Sequence, residues 1–122
     1  MAKVLLIEDT PINLELMSYL LRSAGHEVVT ATNGEAGLAA LADEAFDLVA
    51  CDLHMPKVDG YEVVRAIRSQ QSLTGTKVIA VTGSPLADGD SLAGAGFDGH
   101  VAKPIELATF VAEIEVFLLP SA

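Results

Sequence analysis

The chain has 122 residues, enough for one domain that buries about two-thirds of the surface its unfolded form exposes, so it can fold without a disulfide or metal staple. Seventeen acids against seven Lys and Arg give a formal charge of -10, which repels a phosphate backbone and leaves no basic stripe for nucleic acid. A single Cys excludes an internal disulfide framework and suits a reducing compartment, and no apolar run approaches the roughly 20 residues of a membrane span; the expectation is a cytoplasmic chain with no membrane or nucleic-acid partner.

The first apolar run, Val4-Leu5-Leu6-Ile7, reads as a strand and ends on Glu8-Asp9. Pro11 then suits a first helical turn, and Leu14, Met17 and Leu21 recur at helical spacing, interleaved with Ile12, Leu16 and Leu20, until Gly25 stops the pattern. Val28-Val29 is a second strand with its turn at Thr32-Asn33-Gly34, followed by a helix with Leu38, Leu41 and Ala45 on one face. Leu48 to Cys51 is the third strand and ends on Asp52; a loop from Leu53 to Asp59 leads into a third helix marked by Tyr61, Val64 and Ile67, on which Arg65 and Arg68 face solvent. Gln70 to Thr76 reads as a polar linker.

Val78-Ile79-Ala80-Val81 is a fourth strand ending on Thr82. Gly83 to Gly99 holds five glycines around a weak helix from Leu86 to Ala95, and because each interior Gly costs a helix about 1 kcal/mol relative to Ala, this stretch should be the loosest. A short last strand near His100 to Ala102 ends on Lys103-Pro104, and a final helix from Glu106 to Leu119 carries Leu107, Val111, Ile114 and Leu118 before Pro120. The composition, 51% hydrophobic but only 5% aromatic, calls for an aliphatic core such as strands covered on both faces by helices provide. Five strands alternating with five helices, joined by right-handed crossovers, predict a doubly wound α/β sheet with no second domain.

If the strands are parallel, Glu8, Asp9, Asp52, Thr82 and Lys103 meet outside their carboxyl ends, where ligands bind in open α/β sheets. Three carboxylates gathered at pH 7 repel one another unless a cation lies among them, and a hard divalent ion such as Mg²⁺ is the simplest remedy. A carboxylate beside such an ion can attack phosphorus; Lys103 and the Thr82 hydroxyl suit the oxygens of a transferring phosphoryl group. Taken alone, Glu8 and Asp9 could cap the first helix and Lys103 could be a solvated charge, but the joint pattern outweighs those readings. Asp59 reads as the cap of the third helix, Cys51 as an inert buried thiol and His26 as a turn residue.

Across essentially its whole length the sequence resembles a bacterial response-regulator receiver domain, of the kind found alone or in hybrid kinases. The resemblance rests on Glu8-Asp9, Asp52 ahead of Met55-Pro56 and Asp59-Gly60, Thr82, and Lys103-Pro104. It implies a flavodoxin-like strand order of 2-1-3-4-5, residues 1–122 forming one receiver without an effector domain, and Asp52 as phosphoacceptor. It also implies Mg²⁺ or Mn²⁺ held by Glu8, Asp9, Asp52 and the His54 backbone carbonyl, with Thr82 and Lys103 contacting the phosphoryl group.

The implied partners are a histidine kinase or histidine phosphotransfer protein as donor, and a downstream protein on the face of helix 4, strand 5 and helix 5, the chain being a monomer or a phosphorylation-linked dimer. The Lys-Pro bond is often cis in such domains. Two departures stand out: His100 occupies the switch position where Tyr or Phe is common, and the stretch between Thr82 and Lys103 is slightly short and rich in Gly. The His54 side chain is expected to overlook the pocket and to govern the approach of water to an aspartyl phosphate.

The alternative of the same fold is a phosphorylation-independent interaction module. An aspartyl-phosphate phosphatase lacks support because Asp9 is followed by Thr10-Pro11 and Asp52 by Leu53-His54, with no second Asp two residues on in either place. A flavin or nucleotide carrier would place phosphate against Glu8-Asp9 and be repelled.

Overall fold

The computed structural model describes residues 2–73, 75–83 and 92–118. Five strands, β1 (Lys3–Ile7), β2 (Glu27–Ala31), β3 (Leu48–Asp52), β4 (Lys77–Thr82) and β5 (Gly99–Ala102), form one sheet in the order β2-β1-β3-β4-β5. Every pairing is parallel. The helices are α1 (Pro11–Ser23), α2 (Gly34–Asp43), α3 (Gly60–Arg68), α4, described over residues 92–95, and α5 (Phe110–Val116). No described helix is long and apolar enough to cross a membrane.

Side chains alternate across a strand, and the aliphatic runs therefore divide into two cores. Leu5, Ile7, Val49, Cys51, Val78 and Ala80 pack with Leu41 of α2, Val63, Val64 and Ile67 of α3, and Leu92 of α4. Val4, Leu6, Leu48, Ala50, Ile79 and Val81 turn the other way, onto Leu14, Met17 and Leu21 of α1 and Phe110 and Ile114 of α5. This is the doubly wound arrangement the alternation predicts. Near-continuous burial along β1, β3 and β4 follows from helices on both faces.

Local signals explain the boundaries. Pro11 opens α1, and Gly25, at φ +92, takes the left-handed conformation just past its end. The Asn33 side chain accepts from the Ala36 N–H at 2.7 Å, capping α2. At α3, Asp59 accepts from the Glu62 N–H (3.0 Å) while Glu62 accepts from the Asp59 N–H (3.4 Å), a capping box that bears out the expected role of Asp59.

Several expectations need correction. Ala45 lies beyond the end of α2 and is exposed; the buried stripe is Gly34, Gly37 and Leu41. Arg68 is only partly exposed: it donates to Gly96 O (3.0 Å), Thr76 O (3.0 Å) and Asp98 Oδ2 (2.8 Å), tying α3 to the starts of β4 and β5. The polar linker contains a 3-10 turn, Gln71–Leu73, that buries Leu73.

The last helix starts at Phe110, because the Glu106 carbonyl closes a separate turn by accepting from Thr109 and Phe110. Leu107 is thereby turned out to 62% exposure, and Phe110 fills the core in its place. His26 is more than a turn residue. Its Nδ1 accepts from the Ala2 N–H (3.1 Å), which leaves Nε2 to meet Glu115 Oε2 at 2.8 Å, so it joins the start of β1 to α5. Of the stretch expected to be loosest, residues 84–91 lie outside the described residues, as do Leu119 and Pro120.

Candidate functional site

Register brings the polar residues together. Ile7 pairs with Cys51, Asp52 with Val81, and Thr82 with Ala102, so Glu8, Asp52, Thr82 and Lys103 stand on neighbouring strand ends at one edge of the sheet. The Lys103 N–H donates to the Thr82 carbonyl at 2.8 Å, extending the ladder by one residue into the site. The Lys103–Pro104 bond is cis.

Glu8 is fully buried, an uncommon position for a carboxylate. Its main-chain N–H donates to Ala31 O (3.0 Å), and its Oε2 accepts from the Thr10 N–H (3.2 Å). Oε1 makes no hydrogen bond of ordinary geometry, although Lys103 Nζ lies 3.0 Å away. The same ammonium lies 3.2 Å from Asp52 Oδ1, which also accepts from the His54 N–H at 3.3 Å. Asp52 and Thr82 are buried, whereas Asp9 lies at the surface end of the cluster and His54 is exposed.

One carboxylate oxygen from each of Glu8, Asp9 and Asp52 lies within 4.8 Å of the others. With all three ionised, the Lys103 cation leaves a local excess of negative charge. Burial first, and Asp52 second, push the Glu8 carboxyl up to about 7 against the opposing pull of Lys103. Burial works against the charge of Lys103, but Glu8 and Asp52 outweigh it and leave its pKa raised. The Cys51 thiol is pushed well up by burial and then by Asp52 and Glu8, which supports its reading as inert.

All-oxygen donors, two of them buried, with one oxygen lacking a well-aligned donor, fit a hard divalent cation. Thr82 reaches this edge through its register. His100 does not: it pairs with Ala80, two residues back from Thr82 along the sheet, and it is exposed.

The sequence agrees with this geometry. Residues 4–115 match the model of the response regulator receiver domain. The chain belongs to that family. Among curated relatives, the polar-differentiation response regulator DivK of Brucella anthropi is 28% identical over 116 residues, covering 94% of each chain. Sensor protein GacS of Pseudomonas syringae pv. syringae is 37% identical over 107 residues, 84% of this chain, and the match spans only 12% of GacS. Among solved structures, chemotaxis protein CheY4 of Vibrio cholerae superposes with a TM-score of 0.91 at 30% identity, covering 97% of this chain and 99% of that one. This receiver therefore belongs to two-component signalling and not to a family of metabolic enzymes. Receivers bind Mg²⁺ in an acidic pocket, and the acidic cluster described above is compatible with one.

Two contacts of the site were not legible in the sequence. The Thr10 amide that orients Glu8 is a main-chain group and leaves no side-chain signal. Gly60 sits against the Asp52 main chain, and only the Asp59-Gly60 pair hinted at a constrained turn.

Proposed function

We propose that this receiver accepts a phosphoryl group on Asp52 from the phosphohistidine of a histidine kinase or phosphotransfer protein. The observation that carries the reading is the single Lys103 ammonium, 3.0 Å from Glu8 and 3.2 Å from Asp52, at the edge where the three carboxylates meet. Glu8, Asp9, Asp52 and the His54 carbonyl would hold Mg²⁺ or Mn²⁺, whose charge offsets that of the carboxylates and phosphoryl oxygens when bound.

In the transfer, an Asp52 carboxylate oxygen bonds to phosphorus as the P–N bond to imidazole breaks, and the imidazole leaves with its electron pair and takes up a proton. Lys103 neutralises one phosphoryl oxygen and the Thr82 hydroxyl donates to another, as electrostatic catalysis of this transfer requires. Thr82 and His100 form the switch, and a downstream protein binds the face of α4, β5 and α5.

Intact mass after incubation with Mg²⁺ and acetyl phosphate tests the reading. The wild-type chain should gain one phosphoryl group and Asp52→Ala none; an unmodified wild-type chain overturns it. With donor removed, His54→Ala should change the decay of the adduct between pH 6 and 8 if its ring governs the water path, and identical lifetimes discard that role.

A further inference from the structure

The Asp59-Gly60 pair is only half explained by the helix cap. Asp59 supplies the capping box, but any residue after it could donate the N–H that Gly60 gives to Leu53 O at 3.0 Å. What only glycine permits is the approach of its Cα. A Cβ at position 60 would stand 2.7 Å from Asp52 O and 2.9 Å from Leu53 Cα. Both are main-chain atoms, and neither can swing aside as the end of a side chain could.

We propose that Gly60 is a positioning residue for Asp52: α3 rests by its first residue directly on the main chain of the phosphoacceptor and sets where its carboxylate lies. The inference rests on the reading of Asp52 given above. It follows from what each side can yield. The body of α3 is fixed, since Val63, Val64 and Ile67 are fully buried and the capping box holds its first turn. The segment on the other side is the end of β3 and the start of the loop, where Asp52 Oδ1 accepts from the His54 N–H and meets Lys103.

Ordinary contact begins near 3.4 Å, so a methyl group demands a shift of about 0.7 Å, much of it borne by Asp52 and Leu53. Displacements of about 1 Å in a reacting group cost up to roughly 100-fold in rate, and a loss on the order of tenfold is expected here.

The structure supplies its own control. A Cβ at Gly34 would meet Val58 O at 2.7 Å, an equal main-chain clash on the far part of the same loop. Gly34→Ala should therefore destabilise the fold without moving Asp52.

The experiment compares the wild-type chain with Gly60→Ala and Gly34→Ala. Phosphorylation by acetyl phosphate is followed against donor concentration, and Mg²⁺ is titrated with backbone amide resonances as the readout. Gly60→Ala should lower the maximal phosphorylation rate about tenfold and weaken Mg²⁺ binding, with half-saturation by donor little changed. Gly34→Ala should stay within about twofold of wild type in both, at a similar loss of melting temperature.

Wild-type values for Gly60→Ala, or equal losses in both variants, overturn the proposal. If Gly60→Ala does not fold, the wild-type titration decides: the Gly60 amide should shift in step with those of Asp52 and His54, and a Gly60 resonance that stays in place overturns it. A wild-type chain that takes up no phosphoryl group sinks the phosphoacceptor reading, while displaced Asp52 and His54 amides in Gly60→Ala would still support the positioning role.

Discussion

Glu8 is the residue with the most to lose from its surroundings. Folding takes its carboxyl out of water beside Asp52 and pushes its pKa up to about 7, whereas the unfolded chain releases that proton near 4.5. Between those values the folded chain binds the extra proton, so in chelator the stability should fall as pH rises from about 4.5 to 7 and level off above. If Glu8 belongs to the proposed ion site, added Mg²⁺ should stabilise the chain more at pH 7.5 than at pH 5, because a carboxylate must be ionised to serve as a ligand. Urea titrations at both pH values, with EDTA and with Mg²⁺, check this. Equal stabilisation by Mg²⁺ at the two pH values would remove Glu8 from the ion site.

At the scale of elements, the contacts that lock helices to the sheet come from residues the sequence presents as surface charges. Arg68 satisfies three acceptors on two other segments, one of them Asp98, which also accepts from the Val78 N–H at 2.8 Å. Removing that fork leaves partly buried carbonyls unpaired, so Arg68→Ala should cost roughly 1–3 kcal/mol, read as a lower urea midpoint. Arg68→Lys should rescue little of it, since an ammonium cannot present the planar fork that reaches all three. Full rescue by lysine would mean that charge alone matters there. Neither this clamp nor the His26 link to Glu115 follows from periodicity: the acceptors of Arg68 lie 8, 28 and 30 residues away in the chain, and Glu115 lies 89 from His26. Phe110 replacing Leu107 in the core has a similar origin, a local turn at Glu106 that resets the helical phase.

For the whole molecule, seventeen acids against seven Lys and Arg mean that folding concentrates like charge. Among the described residues, Lys3 pairs with Glu44 and Arg68 with Asp98 at partly exposed positions, and the charge attraction in such pairs is worth little. Net repulsion should dominate, and raising NaCl from 0.02 to 0.5 M should raise the melting temperature by screening it. Thermal melts followed by circular dichroism test the sign. A melting temperature that falls with salt would show that specific ion pairs outweigh the net charge.

Alternation within the aliphatic runs determined the two-faced sheet, because a side-chain period of two leaves no other way to bury both sets. The same runs determined the edge at which Glu8, Asp9, Asp52, Thr82 and Lys103 gather, since parallel strands all end on one side. Tertiary structure alone decided that Glu8 is buried while Asp9 is not, that one ammonium serves both buried carboxylates, and that His100 lies two residues back from Thr82. It also decided that α3 can rest on Asp52 only through a residue without a side chain. Sequence periodicity reports which face of an element is buried; the distance between two groups depends on how separate elements pack.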